Sequence, residues 1–399
     1  MANLPFEIGK ISMTRVDLRL KDPMNTAHGI ISERPILILR ADTSLGEGIG
    51  ECSALADPYY SSEYLAVSEF ILRDFILPHI MRLSPPLTLS DILAFFDKIK
   101  GYPYAKAAVE MAFLDLLTKS QNISLLSFLA NGRPVKNRVP ASMSVGISPD
   151  LKTTVSLVGT ALEKGYRRIK CKIAPDHDIN LLKAIFAAYP HETDLRLFLD
   201  ANESYSCDKK GTDLLIRIGN FDERIAAVEE PLRHGQIPQL VKLRNNLECC
   251  LLLDESAGDL FRIGVAGELG LCDGVVIKPS RLGGVLPSLD ALNLATKHGL
   301  QTSLGGMYEA GIGRAVSLAM ESLEMITLGG DLGPSDNYYT EDVTAPHLLN
   351  NGFIKVPDTV GLGVKLLNEG IFDSNNTSGI PGRKKSFGSI YPPLHFFPI

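Results

Sequence analysis

The run YRRIKCKI (166–173) is followed by LRLFLD (195–200), IAAVEE (225–230), CCLLLD (249–254) and GVVIK (274–278), and each apolar stretch stops at a charged residue. Those residues are Lys172, Asp200, Glu229, Asp254 and Lys278, spaced 28, 29, 25 and 24 residues apart. Each interval has the length of one strand–helix unit. Working outward, RVPASMSVG (138–146) precedes the series and LQTSLGG (300–306) follows it. Amphipathic segments such as DLKTTVSLVGTALEKG (150–165) and LPSLDALNLATKHG (286–299) lie between the runs. Short apolar runs alternating with helical patterns predict a parallel sheet of βα units. About seven or eight such units fit a closed α/β barrel better than an open sheet.

Strand ends of a barrel converge at its C-terminal mouth. Five ionisable side chains distant in sequence would therefore meet. Burying them costs free energy unless they are paired or bound to metal. Asp200, Glu229 and Asp254 offer three hard oxygen donors, which suit Mg²⁺. No His lies among them, and the chain has neither HxH nor HExxH, which argues against zinc. Each acid could instead cap the helix after its strand. Three in register, flanked by lysines, argue against that.

Lys170 and Lys172 flank Cys171, so alternation puts both lysines on one side. Two like charges and partial burial predict a lowered lysine pKa, suited to a general base. Lys278 is expected on the far side of the metal. Alternation turns Glu230 away from Glu229. Glu255 and Asp259 are read as supporting or helix-starting residues. Among the eight His, His28 stands out, in the loop before the first hairpin.

Composition is that of a soluble globular enzyme, with 45% hydrophobic and 22% charged residues in 399. A net charge of −6 gives no reason to expect nucleic acid or an anionic membrane as partner. No apolar stretch has membrane-spanning length, and MANLPFEIGK does not read as a secretory signal. A cytoplasmic location is expected. The six cysteines form no CxxC pair and most are expected as buried, reduced thiols. Homo-oligomerisation is left open.

The N-terminal part, 1–137, is expected as an α+β domain. PILILRA (35–41), the turn DTSLG and EGIGECSA (47–54) form a hairpin signature. Helical patterns cover about 62–77, 89–98 and 105–119. The glycine-rich GEGIG (46–50) lies inside the hairpin rather than opening a helix, so it is no phosphate loop. Residues 138–350 form the barrel. In 351–373, a strand (FIKVP) and a GLGV turn are expected to pack back on the N-terminal domain. The tail 374–399, rich in Ser, Gly, Pro and Asn, is expected to be loosely ordered.

A carbon-bound proton beside a carboxylate is very weakly acidic. Its removal leaves an enediolate, which a divalent cation and an ammonium would stabilise. The KxK pair (Lys170, Lys172), DAN (200–202), EEP (229–231), DES (254–256) and IKPSRLGG (277–284) resemble the muconate-lactonizing subgroup of the enolase superfamily. PYYSSEY (58–64), VPASMSVGI (139–147), GGMYEAGIGRA (305–315) and GDLGPSDNYYTEDVT (330–344) resemble o-succinylbenzoate synthases and N-succinylamino acid racemases. The likeness spans about residues 8 to 365, without the tail.

The resemblance implies a (β/α)₇β TIM-like barrel under an α+β capping domain. It implies Mg²⁺, with Mn²⁺ as an alternative, on Asp200, Glu229 and Asp254. Lys172 becomes the proton-transfer residue, Lys170 supports the substrate carboxylate, and Lys278 faces them. Asn202, Ser144, Tyr60, Gly306 and Met307 would line the pocket of a small carboxylate substrate. The implied reaction is dehydration of 2-succinyl-6-hydroxy-2,4-cyclohexadiene-1-carboxylate to o-succinylbenzoate, a menaquinone precursor. Racemisation of N-succinylamino acids, another carboxylate epimerisation, and a non-catalytic ligand-binding barrel stay open. Two segments depart from the family pattern: MNTAH (24–28) lacks its aromatic-threonine-serine order, and TSLGG (302–306) lacks a nearby Trp. Both bear on the substrate.

Overall fold

The computed structural model describes residues 4–26, 29–148, 150–372 and 380–381. It opens with an antiparallel meander of β1 (Ile8–Thr26), β2 (Gly29–Thr43) and β3 (Gly46–Cys52). The DTSLG turn joins the last two. Gly46 sits at φ +116°, which side chains disfavour, and the Thr43 hydroxyl donates to its carbonyl at 3.1 Å. The hairpin read from the sequence is present, with β2 starting earlier. β1 has no counterpart in that reading. Its Lys, Arg and Asp residues break up the apolar pattern, although Ile11, Met13, Leu18 and Leu20 are buried.

Helix α1 (Pro103–Ser120) packs on this sheet at unusually close range. A Cβ on Gly48 would stand 2.0 Å from the Ala112 carbonyl oxygen, and one on Gly50 2.1 Å from that of Ala108. The GEGIG run thus lets a strand touch a helix backbone. The 62–77 pattern is observed as Leu65–Ile71 and Leu77–Ile80, joined through a wide turn at Leu72–Ile76. The 89–98 pattern is Leu89–Phe96, opened by a reciprocal Thr88–Asp91 capping box.

Eight parallel strands follow in sequence order: β4 (Ser142–Val145), β5 (Arg168–Lys172), β6 (Arg196–Asp200), β7 (Ile225–Glu229), β8 (Cys250–Leu253), β9 (Gly274–Ile277), β10 (Gln301–Gly305) and β11 (Gly330–Asp331). The ring closes where the Ser142 amide donates to the Leu332 carbonyl at 2.9 Å. The fold is a TIM-like barrel with a separate α+β cap. Phe198, Ala227 and Leu252 pack together inside it, and the Arg168 guanidinium lies 3.4 Å from the Phe198 ring centre. Alternation carries Asp200, Glu229 and Asp254, each two residues further on, to the mouth above that layer.

Two buried acids of the cap dock it on the barrel. Glu51 accepts from the amides of Ala310 and Gly313, at the start of helix α3 (Gly311–Glu321). Glu110 accepts from Val285 and Leu286, opening helix α2 (Val285–Lys297). Each offers a carboxylate to a helix N-terminus, where orphan amides need acceptors. Arg34 adds bonds to the carbonyls of Ser53, Ala54 and Met307.

The C-terminal segment corrects one expectation. Phe353–Lys355 pairs with Arg138–Pro140 and with Leu349–Asn350, not with the N-terminal sheet. It covers the strand edge at the entry to the barrel, which would otherwise expose unpaired backbone groups. The GLGV turn does reach the cap: Leu362 donates to Asp115 at 2.9 Å, and Leu125 donates to the Gly361 carbonyl at 2.7 Å. The tail from 374 lies outside the described residues, except for Ile380–Pro381, which pairs with Lys10 and Ile11 of β1. All six cysteines are free. Cys52, Cys171, Cys249 and Cys272 are buried, whereas Cys207 is exposed. Among the described residues no helix is long and apolar enough to cross a membrane.

Candidate active site

β5 directs Lys170 and Lys172 to one side and buries Cys171 on the other. Register then aligns Lys172 with Asp200, and Asp200 with Glu229. Lys172 Nζ donates to Asp200 Oδ2 and Asn202 Oδ1, both at 2.6 Å. Lys170 Nζ lies 2.9 Å from Asp200 Oδ2, 2.8 Å from Glu229 Oε1 and 3.3 Å from Asp331 Oδ2. Across the mouth, Lys278 Nζ donates to Asp254 Oδ2 at 2.6 Å and to the Tyr60 hydroxyl at 2.9 Å. β5 and β9 stand four strands apart in a ring of eight. The Lys172 and Lys278 ammoniums therefore approach the cavity from opposite sides.

One cavity takes in every catalytic, metal-binding and substrate-binding residue read from the sequence except Glu229, which Lys170 holds behind its wall. Ser144 reaches it from β4 and donates to Asp331 Oδ1 at 2.9 Å. Gly306 and Met307 follow β10, and Tyr60 comes from the cap. The capping alternative does not hold for Asp254, which makes no side-chain cap bond to the turn after it. Asp259, by contrast, caps its helix through the Arg262 amide at 2.8 Å. Glu230 turns away as expected. It braces the following loop by accepting from the amides of Asp254 and Ser256. Glu255 accepts from Asn202 Nδ2 at 3.0 Å. His28 lies outside the described residues, as does Ala27 of the MNTAH segment.

Electrostatics overturn the expected low lysine pKa at Lys170. Burial pushes it down, but the charges of Asp200, Glu229 and Asp331 outweigh burial and hold it well above the ordinary value. Its neighbours are carboxylates, and they outnumber the one flanking ammonium. Lys278 is also raised: burial opposes, and Asp254 prevails. Asp254 is lowered, because Lys278 and Arg281 overcome its burial. Burial raises Glu229 to about 7; Lys170 opposes this, and the charges of Asp200 and Asp254 add to it.

The donor set suits a hard divalent cation. Asp200, Glu229 and Asp254 are at most 2% exposed and bring oxygen without sulfur or imidazole. Burial is the main cause of the raised Glu229, and the added repulsion from Asp200 and Asp254 is what a cation would relieve. Their ligand atoms do not gather within 4.8 Å of one another. Among the described residues the group that does is Glu203, Glu230 and His234. The reason is visible: Lys170 Nζ sits between Asp200 and Glu229, and Asp254 is paired with Lys278 and Arg281.

Several residues of the site were not assigned roles from the sequence. Arg281 donates to Asp254 Oδ1, and to the Tyr60 hydroxyl at 2.7 Å. It stands three residues after Lys278 in IKPSRLGG, the spacing of one helical turn. Asp331 ends β11 as Asp200 and Glu229 end their strands, but a two-residue strand leaves no apolar run to read. Tyr308, Arg314 and Tyr338 also line the cavity.

Residues 10–130 match the model for the mandelate racemase/muconate lactonizing enzyme N-terminal domain, and 154–370 match the enolase C-terminal domain-like model. The chain belongs to the enolase superfamily. Within this superfamily it falls in the muconate-lactonizing subgroup, and it is an enzyme. It is 34% identical over 363 residues to an N-succinylamino acid racemase of Amycolatopsis sp, covering 91% of this chain and 96% of that one. It is 35% identical over 365 residues to an o-succinylbenzoate synthase of Bacillus subtilis, with coverage of 90% and 94%. A solved enolase-superfamily member from Listeria innocua superposes with a TM-score of 0.86 at 27% identity, covering 95% of this chain and all of that one.

Proposed function

We propose that the chain is a Mg²⁺-dependent o-succinylbenzoate synthase. The observation that carries this reading is the placement of Lys172 and Lys278 on opposite sides of one cavity, beside three converging acids. The substrate is 2-succinyl-6-hydroxy-2,4-cyclohexadiene-1-carboxylate. Mg²⁺ on Asp200, Glu229 and Asp254 would polarise the substrate carboxylate. Lys170 turns its ammonium toward the same carboxylate. Lys172, once its ammonium has given up a proton to solvent, takes the C1 proton, which lies next to that carboxylate, and an enediolate forms. The resulting Lys172 ammonium gives its proton to the C6 hydroxyl on the same face. The C–O bond breaks, water leaves, and the ring becomes aromatic. Lys278 remains an ammonium, held by Asp254 and Tyr60, and stabilises the intermediate from the other face.

One feature favours a second activity, racemisation of N-succinylamino acids. Lys278 faces Lys172 across the cavity, where it can deliver a proton opposite to the one removed. The purified protein with Mg²⁺ and the cyclohexadiene carboxylate should lose the diene's ultraviolet absorbance, while a polarimetric assay follows N-succinyl amino acids. Dehydration with little racemisation supports the synthase; racemisation alone transfers the assignment to the racemase. Neither activity removes both readings, and a screen of dipeptides and other carboxylates follows.

A further inference from the structure

We propose that Arg314 reads a second carboxylate, so that the site selects substrates with a succinyl-type acid end remote from the reacting carbon. This rests on the function proposed above, in which both candidate substrates carry such an end. Arg314 lines the cavity from α3 and is 1% exposed. Its Nε and Nη1, both buried, have no hydrogen-bond partner among the described residues. A buried guanidinium with idle N–H groups is uncommon and costly. Its charge partner is Glu309, with Nη2 3.0 Å from Oε2. The other Glu309 oxygen serves the Met307 amide at 2.9 Å and the Ser317 hydroxyl at 3.3 Å. Glu309 therefore anchors the guanidinium without using up its donors.

The guanidinium has aromatic surroundings. The Tyr338 ring centre lies 5.6 Å from the guanidinium carbon, and Tyr308 meets Tyr338 edge-on at 5.5 Å. Gly306 lines the cavity beside the guanidinium. A Cβ there would come within 3.3 Å of Nη1 and 3.4 Å of Nη2. With no side chain at Gly306, that residue places nothing over the buried fork. Lys170, Lys172 and Lys278 are already engaged by acids at the reacting end. The planar Arg314 fork is suited to a carboxylate, which it can bind through two parallel bonds.

The test uses the full-length protein with Mg²⁺ and matched ligand pairs. N-succinylphenylglycine is compared with N-butanoylphenylglycine for turnover, and o-succinylbenzoate with 2-butanoylbenzoate for binding by calorimetry. In each pair a methyl replaces the remote carboxylate. Wild type should prefer the diacid by about 10- to 100-fold, the range for hydrogen bonds to a charged group. Arg314→Met should bring the ratio near unity by weakening the diacid alone. Gly306→Ala, whose methyl would stand 3.3–3.4 Å from both Nη atoms and from Glu309 Oε2, should also lower the ratio, and it carries the test if Arg314→Met fails to fold. Equal wild-type preference, or variants that weaken both ligands alike, would overturn the proposal. If wild type turns over neither amino acid nor cyclohexadiene substrate, the functional reading falls, and the calorimetric ratio still decides the role of Arg314.

Discussion

The barrel mouth and the cap–barrel interface both bury carboxylates, and they neutralise them in opposite ways. At the mouth, Asp200 and Asp254 lie against lysine and arginine side chains. At the interface, Glu51 and Glu110 accept from backbone amides at helix N-termini. Burial acts on all four in the same direction, yet the outcome differs. The mouth aspartates are lowered by neighbouring cations. Burial raises Glu51 to about 8 and Glu110 to about 7, against the pull of their amides. Side-chain cations are mobile and can be exchanged for a metal or a substrate. Backbone amides are fixed by the helices they begin. The first arrangement suits chemistry and the second suits docking.

Three substitutions break or sharpen that contrast, taken from the largest effect down. Asp254→Asn removes a proposed metal ligand and the shared partner of Lys278 and Arg281. Mg²⁺ affinity measured by calorimetry should fall by more than about 100-fold, the upper end for groups that merely support ligands. Unchanged affinity would mean the mouth acids are structural, like those of the interface. Glu51→Gln acts on the docking side. The Glu51 carboxyl is at 4.5 unfolded and about 8 folded, so its contribution to stability is full below pH 4.5 and is lost as pH rises through 8. Wild type should lose a few kcal/mol of that contribution, an order-of-magnitude figure, between those limits. Melting curves from pH 5 to 9 should be flatter for the variant; parallel curves would contradict the argument. Gly50→Ala drives a methyl into the Ala108 carbonyl and should cost about 1–3 kcal/mol, read as a lower melting temperature. No change would mean that α1 can shift away from β3.

Much of the barrel is legible in the chain because its strands are buried on both faces and read as apolar runs ended by charge. That logic locates Lys170, Lys172, Asp200, Glu229, Asp254 and Lys278 before any coordinates. It fails where the run is missing. β11 has two residues, so Asp331 shows no pattern, and β1 mixes charged with apolar residues and so reads as no strand. It also fails where a pair is judged in isolation. Lys170 beside Lys172 suggests a depressed pKa, but the carboxylates that reverse it arrive from β6, β7 and β11. Register and ring closure supply that information, and local sequence does not contain it. Arg281 was within a quoted motif, yet its partner Tyr60 is 221 residues away.

The central claim is that Lys172 moves the proton. The most direct test is turnover of the cyclohexadiene carboxylate by Lys172→Ala with Mg²⁺, alongside circular dichroism and a melting curve. The account predicts a loss of at least about 10³-fold, within the range for general acid–base groups, with the fold and Mg²⁺ binding retained. A folded variant that keeps substantial activity would contradict it and assign the proton to another group.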